Sequence, residues 1–422
     1  MHDGPEPPSP PATLPQTRIV GGHRFLASLL VANAGLYAVF QGMQQIVLPS
    51  QVAEITPAGK VAAYGALASV GALAAAIGNP LFGAMSDRTR TRFGRRAPWL
   101  LASGLLALVL LAVLGGMTTL VGLGATYLLV MLTLSAFQCV LIATVPDRVP
   151  PARRGLASAA AAAAMTLGVV YGLQVAPVLL DRPSLAYLLV GAVLLVGTIA
   201  VSCTTGGSSA DEPARPSATS DSVRTFFSSF RDHDFAWTFW SRAMLMFGHW
   251  SILTFQLFIV TDHIGEENLP GASGPGAVAI LGTVQLACSF VTSLVAGPVS
   301  DRLGRRKPFV WGAALGIAGS ALIPVVSPTW GGMLAYAVAG GLCYGVYSSM
   351  DQALMTLVLP EQRHAARDMG ILNVATTGPQ VAAPFLAGLV VTVSGSYTAL
   401  FVVASVLAAA SVLLVLPIRK VA

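Results

Sequence analysis

The stretch that decides the fold is GNPLFGAMSDRTRTRFGRRAPWL, residues 78–100, together with its shorter copy GPVSDRLGRRKPFVW, residues 297–311. The first holds five arginines between Arg88 and Arg96, in a chain of which only 10% of residues are charged. Long apolar segments flank both copies. Short basic turns between apolar segments are typical of a protein that crosses a membrane several times.

The composition supports this interpretation over the whole chain. Of its 422 residues 55% are hydrophobic, whereas a soluble protein carries about 25% charged residues. A helix needs about 20 apolar residues to cross a bilayer, and lipid leaves no partner for backbone groups outside helices. We therefore predict an all-α polytopic membrane protein with twelve transmembrane helices, at 25–48, 61–85, 98–118, 120–145, 156–180, 184–204, 236–261, 274–299, 308–327, 330–358, 370–393 and 396–417.

The two basic stretches belong to an internal repeat. Asp87 lies 214 positions before Asp301, and Pro146 lies 214 positions before Pro360. Since six helices return the chain to the same side, the copies are parallel repeats about an axis along the membrane normal. The predicted organisation is a disordered cytoplasmic tail 1–23, a six-helix bundle 24–204, a linker 205–234 with a possible interfacial helix, and a second six-helix bundle 235–422.

The positive charges indicate the orientation. With both termini in the cytoplasm, all but three of the 24 lysines and arginines fall on the cytoplasmic side. The exceptions are Lys60 and Arg182 outside, and Arg242 within the seventh segment. This is the distribution that the positive-inside rule expects in the cell membrane. An anionic leaflet is a sufficient context for the net charge of +6, so no nucleic-acid partner is predicted.

Twelve helices in two halves, with G-x-x-x-D-R and a following G-R-R after the second and eighth segments, resemble the major facilitator superfamily. GAMSDRTRTRFGRRAPW, residues 83–99, and DQALMTLVLPEQRHAARDMGILNVATTGPQ, residues 351–380, resemble its sucrose–proton and glycoside–pentoside–hexuronide symporters. The resemblance implies alternating access, with segments one, four, seven and ten around a central cavity.

The resemblance also implies a cytoplasmic latch. Asp87 would face the start of segment eleven near Asp368, and Asp301 the start of segment five near Leu156. A carboxylate is favoured at a helix amino terminus by unsatisfied N–H groups and the helix dipole. The alternative for these residues is simple anchoring at the membrane surface. The expected gating residues are Asp87, Arg88, Arg95, Asp301, Arg302, Arg305 and Asp368.

Charged groups inside the segments are few and are predicted to couple transport to protons. Arg242 and Asp351 lie at equal depth, about 12–14 Å from the cytoplasmic boundary at ~1.5 Å per residue, so we predict an ion pair. A carboxylate paired in only one state can take up and release a proton. Asp351 is the first candidate and His249 the second, because the unperturbed pKa of histidine is about 6.5. The alternatives are a packing bridge, a neutral core histidine, or sodium coupling.

Amides and aromatic side chains recur on the predicted inner faces, and such groups suit hydroxyl-rich ligands. Each alone could equally form a helix–helix hydrogen bond. Arg242, His249 and Gln256 are seven apart, which predicts one polar stripe. The candidate substrate-binding residues are Asn33, Tyr37, Gln41, Gln44, Gln138, His249, Gln256, Tyr344, Tyr347, Gln352, Asn373 and Gln380.

We therefore predict a secondary active transporter that imports a small polar solute, sugar or glycoside-like, by proton symport. The alternative is a proton-coupled exporter of drugs or metabolites, although segment five has Gly168 and Gly172 without the Gly-Pro pair common in family exporters. A substrate-sensing receptor is a third possibility. No nucleophile with a base, metal-type cluster or phosphate-binding loop is recognisable, so we expect no enzyme, cofactor or metal. The expected partners are the solute, protons and the bilayer, and the protein is expected to be a monomer.

Overall fold

A computed structural model describes residues 22–149, 154–205, 230, 232–303, 307–357 and 365–417. These residues form helices and turns, with no β-strand among them. Every predicted apolar segment coincides with a long helix. In chain order the helices are α1 His23–Ile55, α2 Lys60–Arg88, α3 Ala97–Gly115, α4 Leu120–Arg148, α5 Arg154–Val175, α6 Pro183–Thr205, α7 His233–Thr254, α8 Gly274–Leu303, α9 Lys307–Val326, α10 Trp330–Leu357, α11 Ala365–Ser394 and α12 Tyr397–Val415.

Most of these helices can cross a membrane. Among the described residues, ten are long and apolar enough, and α7 with its bent continuation Gln256–Asn268 makes an eleventh. The 28-residue α10 is not among them, since its tyrosines, its serines and Asp351 reduce its apolar character. The all-α, multi-pass architecture predicted from the sequence is confirmed. The tail before residue 22 and the linker 206–229, with its possible interfacial helix, lie outside the described residues, so the domain boundaries stay predictions.

Local signals set several helix starts. The hydroxyl of Thr119 accepts the N–H of Gly122 at the start of α4, and Ser396 caps α12 in the same way. The carboxylate of Asp232 accepts the N–H of Phe235 at the start of α7. Such caps satisfy backbone donors that have no partner within the helix.

The order of neighbouring helices repeats in the two halves. In the first half α1 packs on α5 and α6, α3 packs on α4 and α6, and α2 packs on α4. In the second half α7 packs on α11 and α12, α9 on α10 and α12, and α8 on α10. The pairs α2–α11 and α5–α8 join the halves. The twelve helices thus form a closed ring of two equivalent six-helix repeats.

Small residues allow close packing within each half. A side chain at Gly168 or Gly172 in α5 would meet the backbone of Ala34 or Ala38 in α1. Glycine at such contacts lets two helix backbones approach closely, as is common in membrane proteins.

The two ends of the ring differ. We call the end that holds the turn Thr89–Arg96 the arginine-rich face, and the end that holds the turn Thr56–Gly59 the opposite face. At the opposite face the halves touch: the N–H of Phe385 in α11 donates to Ser69 in α2, and Gln174 in α5 donates to Thr283 in α8.

At the arginine-rich face four glycines of the same helices face open space. An added Cβ at Gly83 in α2, Gly155 in α5, Gly297 in α8 or Gly370 in α11 would meet no neighbouring atom within 4 Å. The two hydrogen bonds between the halves thus lie towards the opposite face, and we describe the arrangement as a V that is closed at that face.

Helices α1 and α7 are irregular at matching positions. A π-helical turn occupies Met43–Val47 in α1, and another occupies Ile259–Gly265 beyond α7. Helix α7 also ends at Thr254 and resumes at Gln256 with a bend of 56°. Such turns occur frequently at functional sites. The predicted stripe of Arg242, His249 and Gln256 spans this break, so its last member does not lie on the same continuous helix as the other two.

Candidate functional site

The predicted ion pair between Arg242 in α7 and Asp351 in α10 is present. Arg242 Nη1 lies 2.5 Å from Asp351 Oδ2, and both side chains are buried, with relative exposures of 7% and 6%. Helices α7 and α10 do not pack closely on each other, so the pair spans a gap within the second half. Both residues belong to the second half, and neither is among the residues that line the cavity described below.

Neighbouring groups fix the pair from three helices. Arg242 Nε donates to Thr376 Oγ1 in α11 over 2.7 Å, and its Nη1 contacts the sulfur of Met355 in α10. The hydroxyl of Tyr347 donates to Asp351 Oδ1 over 3.2 Å. A buried charge pair is stable only when its remaining hydrogen-bonding capacity is satisfied in this way. The arrangement can hold a proton at Asp351 without exposing either charge to lipid.

His249 lies further along α7, towards the opposite face. Its ring stacks on Tyr344 of α10, with centroids 4.5 Å apart and an interplanar angle of 12°. The described residues therefore bring four predicted site residues, Arg242, His249, Tyr344 and Tyr347, next to Asp351 or one another.

A cavity lies between the halves near the closed end of the V. Its empty space of about 400 Å³ includes open solvent, and about 30 Å³ is accessible to the centre of a water molecule. None of its lining residues is charged, and both halves contribute. They are Gln41, Gln44, Gln45, Tyr64, Ala68 and Ala72 from the first half, and Trp250, Leu253, Thr254, Gln380 and Pro384 from the second.

Two buried polar atoms of this lining have no hydrogen-bond partner in the protein. They are the acceptor Gln45 Oε1 and the donor Trp250 Nε1, one from each half. The amide nitrogen of Gln45 is already used, since it donates to Gln41 Oε1 over 2.6 Å. Leaving such atoms unsatisfied costs about 1–3 kcal/mol each. A ligand that both donates and accepts hydrogen bonds would satisfy both.

The predicted substrate-binding residues of the first half fall into two groups. Gln41 and Gln44 line the cavity. Tyr37 of α1 and Gln138 of α4 are not among the residues that line it. Asn33 donates to the carbonyl of Leu29 within α1.

In the second half, Gln380 lines the cavity and the other candidates do not. Gln256 is buried beyond the break in α7, and its Oε1 has no protein partner. Asn373 is exposed on α11. The side chain of Gln352 lies outside the described residues.

The closed opposite face is held by a cross-half cluster that the sequence interpretation missed. Lys60 of α2 pairs with Asp262, which follows α7, at 2.7 Å, and Tyr397 of α12 donates to Asp262 over 2.8 Å. Below them the ring of Tyr64 meets the rings of Phe255 and Phe258 edge-on, at 6.1 and 5.7 Å. Lys60 was interpreted only as one of two external positive charges.

At the arginine-rich face two of the predicted gating residues, Asp87 and Arg95, form ion pairs within the first half. The Asp87 carboxylate is half exposed and lies 2.7 Å from Arg96, and Arg95 pairs with Asp147 at 3.0 Å. Arg88 and Arg302 are exposed, whereas Asp368 is fully buried at the start of α11. The latch between Asp87 and α11 is not formed in this arrangement. Arg305 and the side chain of Asp301 lie outside the described residues.

Comparison with known proteins identifies the family. The sequence model of the Major Facilitator Superfamily matches residues 30–284 and 272–422. The chain belongs to the major facilitator superfamily.

Solved facilitator structures share the fold at low identity. The nucleoside transporter NupG, in a mutant form, has a TM-score of 0.72 and 15% identity over 93% of this chain and 98% of its own. A bacterial homologue of the human lysosomal transporter Spinster, described as inward-facing and unoccupied, has a TM-score of 0.67 and 14% identity over 94% of each chain. No curated protein matches the sequence significantly.

Membership of the superfamily makes this facilitator a multi-pass membrane transporter and not an enzyme.

The sequence prediction did not include two residues of the cavity lining, Gln45 and Trp250. Gln45 stands four residues after Gln41, the same spacing that selected the other α1 candidates.

Proposed function

We propose that this facilitator is a secondary active transporter that imports a small, uncharged, hydroxyl-rich solute together with protons across the cell membrane. The proposal includes the sugar or glycoside-like class favoured by the resemblance to sucrose and glycoside symporters. It also takes the arginine-rich face and both termini to be cytoplasmic, on the positive-inside rule.

The observation that carries the proposal is the pair of unsatisfied atoms, Gln45 Oε1 and Trp250 Nε1, in an uncharged cavity shared by the two halves. A carboxylate or ammonium ligand would lose its hydration there without a counter-charge, which is costly. A neutral polyol would satisfy both atoms and the neighbouring glutamines. Sugars and nucleosides both have this chemistry, and NupG is named as a nucleoside transporter.

Proton coupling is supported by the position of Asp351. Its only charged partner among the described residues is Arg242, and both are buried. Protonation would remove the ion pair while leaving a neutral acid, which tolerates burial far better than an unpaired carboxylate. His249 stays the second candidate, since it lies next to Tyr344 of the same site.

The test is a solute panel in proteoliposomes with an imposed proton gradient. Radiolabelled sucrose, D-glucose, D-xylose and uridine test import, and tetraphenylphosphonium tests the alternative of proton-coupled export. Accumulation of an uncharged solute when the outside is acidified supports the proposal. Gradient-driven loss of the lipophilic cation, with no accumulation of any uncharged solute, would support export instead.

A further inference from the structure

The proton site and the solute cavity are joined by one helix. Arg242 binds Asp351 and Met355, both in α10, and Thr376 in α11. Of the described partners of the ion pair, Thr376 is the one that belongs to a third helix. Helices α10 and α11 pack little on each other directly, and the Arg242 guanidinium contacts side chains of both.

Helix α11 carries this link to the cavity. Gln380 lies four residues after Thr376, on the same face of the helix, and lines the cavity. Pro379 and Pro384 lie inside α11 around Gln380 and interrupt its hydrogen bonds there. The N–H of Phe385, just after the second proline, donates to Ser69 of the other half over 2.9 Å. A helix interrupted in this way can bend at that point.

We propose that Thr376 is a positioning residue that couples the protonation of Asp351 to movement of α11, and through Gln380 to the solute cavity. This rests on the proposed proton coupling. When a proton from solution binds Asp351 Oδ2, the acid becomes neutral and the guanidinium loses its ionic partner in α10. The bond from Arg242 Nε to Thr376 Oγ1 persists, so α7 and α11 become free to move together relative to α10.

Other groups near Asp351 do not provide this link. The charged or titratable groups that face it are Arg242 from α7 and Tyr347 and Tyr344 from α10 itself, with His249 of α7 stacked on Tyr344. Each of these lies on α7 or α10. Among the described contacts of these four groups, the bond from Arg242 to Thr376 is the one that reaches a side chain of α11.

The test measures the distance between two spin labels at the arginine-rich face and requires no solute. The full chain, with its four cysteines replaced by serine, is labelled at Gly83→Cys and Gly370→Cys, positions with open space around them. Label distances are measured in lipid nanodiscs between about pH 5.5 and 8, the range in which a carboxyl group whose surroundings change between two states can exchange its proton. We expect the distribution to change with pH in this background and to be independent of pH in Asp351→Asn.

The side chain in Thr376→Val is nearly isosteric but cannot accept a hydrogen bond. We expect the pH-dependent change in label distance to be at least about fivefold smaller in this variant, because one net hydrogen bond is lost. Thr376→Ser should restore the change. Thr377→Val is the matched control, because its hydroxyl is exposed and donates only to the carbonyl of Asn373. Thr376→Ala replaces Thr376→Val if the latter does not fold, as judged by size-exclusion chromatography.

A pH response in Thr376→Val equal to that of the background would overturn the inference while leaving proton coupling intact. The proposed coupling, and this inference with it, would be overturned by two results together. The label distances in the labelled protein without further substitution would be independent of pH, and the solute panel would show no proton-driven uptake. The two failures are therefore distinguishable.

Discussion

Lys60 and Asp262 form an ion pair that joins the two halves of the protein at the opposite face, with 2.7 Å between Nζ and Oδ1. The side chains are 24% and 29% exposed, so the pair is partly screened. It is supplemented by Tyr397, which also binds Asp262, and by the ring of Phe258 5.2 Å from Lys60 Nζ. The two contacts of Lys60 join the halves, whereas the bond between Tyr397 and Asp262 lies within the second half.

Removing the Lys60 charge should therefore favour opening of the opposite face. An ion pair of this exposure contributes about 0.5–1 kcal/mol, so Lys60→Gln should raise the open population roughly two- to fivefold. The measurement is the distance between spin labels placed on α2 and α11 at that face. Arg182→Gln is the control, because it removes one positive charge from the same face. The Arg182 side chain has no described partner in the other half, so the label distances should not change in this variant. An unchanged distance distribution in Lys60→Gln would refute the assigned role.

The buried ion pair makes a prediction about stability. Arg242→Gln leaves the Asp351 carboxylate buried without its counter-charge, and breaking a buried pair in this way costs about 3–5 kcal/mol. The double variant Arg242→Gln/Asp351→Asn should recover most of that loss, because no charge remains buried. Unfolding by sodium dodecyl sulfate in mixed micelles measures both. Arg302 is exposed, so Arg302→Gln should shift stability by less than about 0.5 kcal/mol. A double variant as unstable as Arg242→Gln would contradict the interpretation.

The ion pair shows what could be predicted from the sequence. The segments are long and apolar, so depth follows from residue counting, and two opposite charges at equal depth have few other partners. Gln41, Gln44 and Gln380, which the same reasoning placed on inner faces, line the cavity. The reasoning did not reveal that Arg242 and Asp351 lie outside the cavity lining, because depth along a helix carries no information on which gap between helices a side chain enters.

The remaining features depend on contacts between distant parts of the chain. The break at Phe255 has no proline or glycine to signal it, so the sequence predicts one continuous helix through Gln256. Lys60 and Asp262 are 202 residues apart and belong to different halves. Their pairing depends on which face of the transporter is closed, and that is a property of the conformational state and not of local sequence pattern.

The packing of α1 on α5 predicts a strong effect of a single methyl group. In Gly172→Ala the added Cβ would meet the carbonyl oxygen of Ala38 well inside van der Waals contact, and overpacking of this kind costs about 1–3 kcal/mol. Gly319→Ala, in α9, meets no atom within 4 Å and should be neutral or slightly stabilising. Thermal unfolding in detergent compares the two. Equal melting temperatures would show that the helices are not packed as closely as described.

The cavity predicts selective effects on solute affinity. Trp250→Phe keeps an aromatic ring but removes the unsatisfied Nε1 donor, and one net hydrogen bond is worth about 0.5–1.5 kcal/mol. The apparent affinity for the solute accumulated in the panel should fall roughly two- to tenfold. Trp240→Phe, on the same helix but 53% exposed, is the control and should leave affinity unchanged. Equal affinities in both variants would mean that this cavity is not the solute site.

The central claim is that Asp351 carries the coupled proton, and Asp351→Asn tests it most directly. Solute uptake driven by an imposed proton gradient and solute exchange at equal pH are measured side by side in proteoliposomes. Asp181 is exposed, and Asp181→Asn is the control. We predict that Asp351→Asn exchanges solute but no longer accumulates it, while Asp181→Asn does both. Accumulation by Asp351→Asn at the wild-type level would contradict the claim.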